Sequence, residues 1–299
     1  MTHTVSFVGL GAMGLNSARL LAAAPDIALR AFDLRAEALS ALEAAGGTPC
    51  ASAAQANQDA GYAVVFVVNG RQAEEVIFGA GGLHETARPG LVIISCVTML
   101  PDEAAAIGRR CRERGWHFID APVSGGMVGA AAGTLTVMAA GERGVIDACR
   151  FIFDRICKRL MVVGDQAGQG SMVKAINQLL CGVHLAAAGE AMALAERAGL
   201  DKQAVLDVVG QSAAASWMLN DRGPRMAAGD FGSVTSAVDI FVKDLGIVND
   251  VARAMRFPAP LSAAALQSFV GVAGVGMGKL DDSAVMLYYP QPEQGGRQS

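Results

Sequence analysis

Short apolar runs alternate with helical spacing through the first half of the chain. Val5–Val8, Leu29–Phe32, Tyr62–Val68, Leu91–Ser95, His117–Ile119, Leu135–Ala139 and Leu160–Val163 read as strands. Between them, Met13–Ala24, Ala36–Ala45, Ala73–Phe78, Pro101–Arg114 and Gly144–Ile156 read as helices. This alternation predicts a doubly wound α/β sheet, parallel at least in its first part. After Gly164 the strands stop. Ser171–Ala198 reads as one long helix, with Ser171 as N-cap and Gly199 as the C′ residue. Asp201–Ser212, Ser236–Met255, Pro260–Gly271 and Ser283–Leu287 continue as helices. The expected domains are residues 1–165 (α/β) and 166–290 (all-α), joined by the long helix, followed by a polar, frayed tail over 291–299.

Composition narrows the function. Residues are 52% hydrophobic and 17% charged, with a net charge of −4, so a large core is expected and a nucleic-acid partner is not. No run reaches the roughly 20 apolar residues of a membrane span; Leu179–Ala195 is interrupted by His184 and Glu190. The N-terminus has no basic region and enters a strand at once, so no signal peptide is expected, and the chain reads as soluble and cytoplasmic. The six cysteines form no CxxC and pair with none of the four histidines at ligand spacing, so no metal site is expected. Trp217 and Met218 read as core or subunit contact, and Asp281-Asp282 as acids at a helix N-terminus.

Two segments carry chemistry. Gly9-Leu10-Gly11-Ala12-Met13-Gly14 follows a strand and opens a helix, the context a dinucleotide fingerprint requires. Gly9 allows the tight turn, Gly11 lets backbone approach a pyrophosphate, Gly14 lets helix and strand pack, and helix N-terminal amides stabilise the phosphate charge. Asp33, 19 residues after Gly14 and ending the second strand, suits the ribose hydroxyls of NAD and repels a 2′-phosphate. Arg35 is the side-chain type that accommodates that phosphate and leaves NADP open; Asp33 as a plain helix cap is the alternative.

The second segment is Gly168-Gln169-Gly170-Ser171-Met172-Val173-Lys174-Ala175-Ile176-Asn177-Gln178. On a helix Lys174, Gln178, Cys181 and Leu185 share one face, with Asn177 at its flank. A lysine beside a nicotinamide can exchange a hydroxyl proton as hydride moves. Taken alone, Lys174 reads more readily as a surface lysine.

A third segment, Asp120-Ala121-Pro122-Val123-Ser124-Gly125-Gly126, is a glycine-rich turn whose amides and Ser124 hydroxyl suit a carboxylate. Together with Gly9–Gly14, the Lys174 segment and Phe241-Val242-Lys243-Asp244-Leu245, it resembles the β-hydroxyacid dehydrogenase family over nearly the whole chain and in the right order. That resemblance implies a Rossmann-type NAD-binding domain and an all-α domain that dimerises around the long helix, hence a homodimer or homotetramer. Lys174 is implied as general acid/base. Ser124, Gly125 and Gly126 are implied to hold the substrate carboxylate, Asn177 and Gln178 to meet its hydroxyls, and Lys243 to close over cofactor and substrate. Cofactor contacts are implied for Gly9, Leu10, Gly11, Ala12, Met13, Gly14, Asp33, Val68, Asn69, Val97 and Lys243.

Two departures stand out. Many members carry two Asn after the lysine, where this chain has Asn177 and Gln178, and many carry a Thr where this chain has Val97. Gln178–His184, Ala188–Leu194, Ser236–Gly246, Asp281–Val285 and Val67–Asn69 are similar to the branch that oxidises L-threonate, a four-carbon sugar acid. The expected activity is therefore NAD-dependent oxidation of a short sugar or hydroxy acid. The alternatives are 3-hydroxyisobutyrate or tartronate semialdehyde chemistry, or an NAD-binding module without catalysis.

Overall fold

The computed structural model describes residues 2–290; Met1 and the tail 291–299, with the fraying expected of it, lie outside the described residues. The chain divides into two compact units, Met1–Lys174 and the remainder from Ala175 onward. The border lies inside the long helix, whereas the pattern puts it at 165/166.

The first unit is built on strands β1 (His3–Val8), β2 (Ile27–Phe32), β3 (Thr48–Pro49), β4 (Tyr62–Val65), β5 (Val92–Ser95), β6 (His117–Asp120), β7 (Val123–Ser124), β8 (Leu135–Ala140) and β9 (Cys157–Gly164). They form one sheet in the order β3-β2-β1-β4-β5-β6-β8-β7, with β9 on β8. β3 through β6 in that order are parallel; β6 and β7 pair β8 antiparallel, and β9 pairs it parallel. The strands read as unbroken apolar runs because the sheet is buried on both faces. Val64 and Ile94 enter one apolar cluster, while Ala63, Val65 and Ile93 enter the other. Strand order reverses between β1 and β4, the crevice where open parallel sheets bind ligands.

Helices α1 (Gly14–Ala22), α2 (Ala36–Glu43), α3 (Ala53–Asn57), α4 (Gly70–Phe78), α5 (Pro101–Arg112), α6 (Gly126–Ala132), α7 (Arg143–Ala148) and α8 (Arg150–Ile156) complete the unit. The apolar pattern merges α7 and α8. Cys149, at φ −89° and ψ 6°, leaves the helical region and starts a new helix while both flanks stay apolar.

The second unit holds most of α9 (Gln169–Arg197), then α10 (Lys202–Val209), α11 (Trp217–Ala228), α12 (Val238–Ala254), α13 (Pro260–Val272) and a 3-10 turn at Asp282–Tyr288. Its core gathers Leu185, Met192, Leu206, Phe241, Leu245 and Phe269, with the Phe241 and Phe269 rings stacked at 5.0 Å. Two sequence expectations change. Ser171 is not the N-cap of α9, which begins at Gln169; its hydroxyl is taken by Asp120. α11 is absent from the sequence reading, because Gly223-Pro224 breaks its pattern, yet Ser216 caps its start and Gly229 closes it at φ +69°. Met218 is buried in the core, while Trp217 is exposed, which leaves the subunit-contact alternative for it.

Gln169–Arg197 and Pro260–Met277 are long and apolar enough to cross a membrane by length and composition. The first carries buried Lys174 and Gln178 and an exposed Glu190 on different sides, which fits a helix packed within protein.

Asp281 and Asp282 do more than face a helix dipole. Arg225 Nε lies 3.0 Å from Asp281, and Arg222 reaches Asp282 at 2.7 Å and 3.1 Å. Asp281 also accepts from Thr235 and Ser283. These bonds tie α11 and the entry to α12 to the chain's last described segment.

Candidate active site

In the first unit the dinucleotide cradle assembles as its residue types require. Gly9 sits at φ +99°, and a Cβ there would lie 2.6 Å from the Phe66 carbonyl oxygen. A Cβ on Gly14 would overlap the Gly9 carbonyl, so both glycines are needed for β1, β4 and α1 to meet. Gly11 faces open space within 4 Å, which leaves its backbone approachable by a ligand. No side chain caps the N-terminus of α1. The backbone N–H of Leu10 donates to Asp33 Oδ2 at 2.6 Å, so the acid and the turn form one structure.

Arg35 completes it. Its backbone N–H and Nε reach Asp33 Oδ1 at 2.9 Å and 3.0 Å, and its Nη2 donates to the Leu10 carbonyl at 2.8 Å. Burial alone would raise the Asp33 carboxyl. The bonds from Arg35 and the Leu10 amide outweigh it and hold the group below its ordinary value. A charged carboxylate at the end of β2 beside an open glycine turn fits a ribose diol, so the residues present fit NAD.

Asn69 and Val68 lie beyond β4. Asn69 caps α4 by accepting from the Gln72 amide at 2.9 Å, while the Val68 N–H donates to the Gln72 side chain at 3.0 Å. Val97 is completely buried among Val65, Met99 and their neighbours. Thr98, one residue on, is half-buried and bears the hydroxyl that Val97 lacks.

Ser124 ends β7, paired in register with Thr136 of β8. Gly125 and Gly126 follow at φ +130° and +62°, turning the chain into α6. Asp120, at the end of β6, is the residue whose role the sequence does not disclose. Its carboxylate accepts from the Ser171 hydroxyl at 2.7 Å, the Ser171 N–H at 2.8 Å and the Gly168 N–H at 2.9 Å. Burial raises its carboxyl above the ordinary range, and these donors partly offset that. Gly170 has to be glycine, since a Cβ would lie 2.5 Å from the Asp120 carbonyl oxygen and 2.6 Å from that of Met138. The first turn of α9 is thereby pinned to the ends of β6 and β8, and Lys174 follows one turn later. Lys174 is only 7% exposed, a degree of burial lysine rarely reaches.

In the second unit Asn177, Gln178 and Lys243 are brought together by Asp244. Gln178 Nε2 donates to Asp244 Oδ2 at 2.5 Å, and Asn177 Nδ2 donates to Gln178 Oε1 at 2.9 Å. Lys243 Nζ lies 2.7 Å from Asp244 Oδ1. The sequence did carry a signal for Asp244. It falls in the buried stripe of α12 with Phe241, Leu245 and Val248, where an acid needs partners.

Comparison with known proteins covers the chain end to end. Residues 4–164 match the NAD binding domain of 6-phosphogluconate dehydrogenase. Residues 168–289 match a domain described as NAD-binding of NADP-dependent 3-hydroxyisobutyrate dehydrogenase. An L-threonate dehydrogenase of Cupriavidus necator is 44% identical over 297 residues, 99% of each chain. One from Haemophilus influenzae is 38% identical, covering 96% of this chain and 95% of the relative. The crystal structure of a 3-hydroxyisobutyrate dehydrogenase from Salmonella typhimurium superposes with a TM-score of 0.90 at 40% identity, covering 96% of this chain and 100% of that one.

Proposed function

We propose, from the premise that this chain belongs to the 3-hydroxyisobutyrate dehydrogenase-like family of β-hydroxyacid dehydrogenases, that it oxidises L-threonate with NAD. It is an NAD-dependent hydroxyacid dehydrogenase; the choice of L-threonate rests on relatives of that name matched over nearly the full chain. The single observation that carries the chemistry is Lys174, buried one turn beyond a helix start that Asp120 and Ser171 fix.

Bound NAD supplies the acceptor for the hydride that leaves the carbinol carbon. The chain's own groups do the rest. The Ser124 hydroxyl and the amides of Gly125 and Gly126 hold the substrate carboxylate. Lys174, in its neutral form, takes the proton of the C2 hydroxyl as the carbon–hydrogen bond breaks. The product is the 2-oxo acid, 2-dehydro-L-erythronate; in reverse, the same lysine returns the proton. Gly9–Gly14 and Asp33 hold the dinucleotide, with Val68, Asn69 and Lys243 completing its contacts; Val97, completely buried, is placed to support them by packing and not by the direct contact expected of it. Exposed Ile176, Leu180 and Leu194 along α9 support self-association as a homodimer or homotetramer, which sedimentation would read.

The test is NADH formation with L-threonate against D-threonate, both erythronates, D-glycerate and 3-hydroxyisobutyrate, each with NAD and with NADP. Preference for L-threonate and NAD supports the reading. Preference for 3-hydroxyisobutyrate favours the second reading that the Salmonella typhimurium structure suggests. NAD binding without turnover of any acid overturns the assignment of catalysis to Lys174.

A further inference from the structure

A carboxamide has a donor end and an acceptor end, and a buried neighbour that can only accept decides which way round it sits. Asp244, 3% exposed and ion-paired with Lys243, is such a neighbour for Gln178, itself 7% exposed. Gln178 therefore turns Nε2 to Asp244 Oδ2, which puts its Oε1 toward Asn177. Asn177 has to answer with Nδ2, and that same nitrogen lies 3.4 Å from Cys181 Sγ. Both Nδ2 hydrogens thus have protein partners, and the atom Asn177 offers to a ligand is Oδ1, an acceptor.

We propose that Gln178 is a positioning residue which, held by Asp244, fixes the polarity of the Asn177 amide so that Asn177 accepts a hydrogen bond from a substrate hydroxyl. This rests on the dehydrogenase reading above and narrows its substrate class to acids with a hydroxyl to donate there. On this reading Gln178 acts through Asn177. Its length matters, because Asn at 178 is one methylene shorter and does not reach Asp244. The same carboxylate holds Lys243, so one acid on α12 sets both an amide on α9 and an ammonium on its own helix.

The test is a donor–acceptor swap. Gln178→Glu keeps the shape but sets two buried carboxylates against each other, and the strut breaks. Asp244→Asn lets the Gln178 amide reverse, so that Asn177 reverses with it and offers a donor. The double variant, Gln178→Glu with Asp244→Asn, restores the match: the carboxylate placed at position 178 accepts from both neighbouring amides, and Asn177 again offers Oδ1. Asp244→Asn removes the Lys243 counter-charge and the double variant returns a carboxylate at position 178, so a kcat that holds between the two is what separates an Asn177 effect on KM from the change in charge.

With saturating NAD, the double variant is expected to show a KM for L-threonate roughly tenfold lower than Asp244→Asn alone, the scale of one hydrogen bond to the substrate. kcat is expected to stay within about threefold between the two. If Gln178→Glu does not fold, Gln178→Asn carries the single-variant arm, with KM raised and kcat held. The proposal is overturned if the double variant is no better than Asp244→Asn, or if Gln178→Glu matches the wild type. Melting midpoints of the wild type, the two single variants and the double variant need no substrate. A loss of roughly 5 °C in Gln178→Glu, recovered on adding Asp244→Asn, supports the strut, and additive midpoints overturn it. A wild type that turns over no hydroxy acid sinks the functional reading, while the midpoints still decide the strut.

Discussion

Under the proposed function Lys174 and Asp33 divide the labour of the first unit, and each makes a separable prediction. Replacing Lys174 by Ala removes the proposed proton acceptor but leaves Gly9–Gly14 and Asp33 untouched. Turnover is expected to fall by about a thousandfold, within the range for loss of a general acid or base. NADH affinity, read by fluorescence titration, is expected to stay within about twofold. An equal loss of both would assign Lys174 to cofactor binding instead. Asp33 is bonded to Leu10 and Arg35, so its removal releases an arginine at the end of β2. Asp33→Ser is expected to lower the NAD-to-NADP ratio of kcat/KM by at least about tenfold, because the repulsion of a 2′-phosphate goes and Arg35 is left to attract it. An unchanged ratio would place cofactor choice elsewhere in the cradle.

The start of α9 shows how an element is set by a residue far from it in sequence. Ser171→Ala strips one donor from a buried carboxylate and is expected to cost about 1–3 kcal/mol in urea unfolding. Gly170→Ala should cost more, since its Cβ meets two backbone oxygens that cannot turn aside. Legibility follows the same line between near and far. Gly9–Gly14 and Asp33 are readable because turn, helix and acid obey local rules of spacing. The strands are readable because a sheet buried on both faces needs unbroken apolar runs. Ser171 looks like an N-cap because its partner, Asp120, stands 51 residues away. The bond between Gln178 and Asp244, 66 residues apart, is hidden for the same reason. Other misses are local: Cys149 breaks a helix without changing the apolar pattern, and Gly223-Pro224 hides a helix that Ser216 caps.

At the scale of the molecule, two titrations and one thiol count probe the folded state. For Asp33 and Asp281, burial opposes ionisation, but the donors around each carboxylate outweigh it and lower the folded value. Stability from such groups is complete above the ordinary value of 3.8 and is lost as pH falls through the lower folded value. Asp120 and Asp282 are raised by burial and have the opposite sign, losing their contribution as pH rises through their folded values. Asp281→Asn should therefore flatten the acid limb of a urea-midpoint profile; a parallel shift of the whole curve would contradict this. None of the six cysteines is in a disulfide, and five are buried, with Cys111 and Cys149 pushed up to about 12 by burial. A thiol reagent should modify Cys181 in the native protein and all six in denaturant, and modification should raise KM because Cys181 lies against Asn177.

The ties from Arg222 and Arg225 to Asp282 and Asp281 have a consequence for biosynthesis. Every bond described around Asp120 and the dinucleotide cradle closes within the first 174 residues, so that half can mature while the ribosome is still translating the rest. The second half has no such freedom. Beyond its neighbour Asp221, Arg222 waits 60 residues for its buried partner Asp282, and the lead into the helix bearing Lys243 waits for Asp281. A nascent chain, or a product of premature termination before codon 281, holds an arginine built for the interior with only the partly exposed Asp221 to meet it. Quality control would therefore see the two halves differently, the first as finished early and the second as open until nearly its last turn is made.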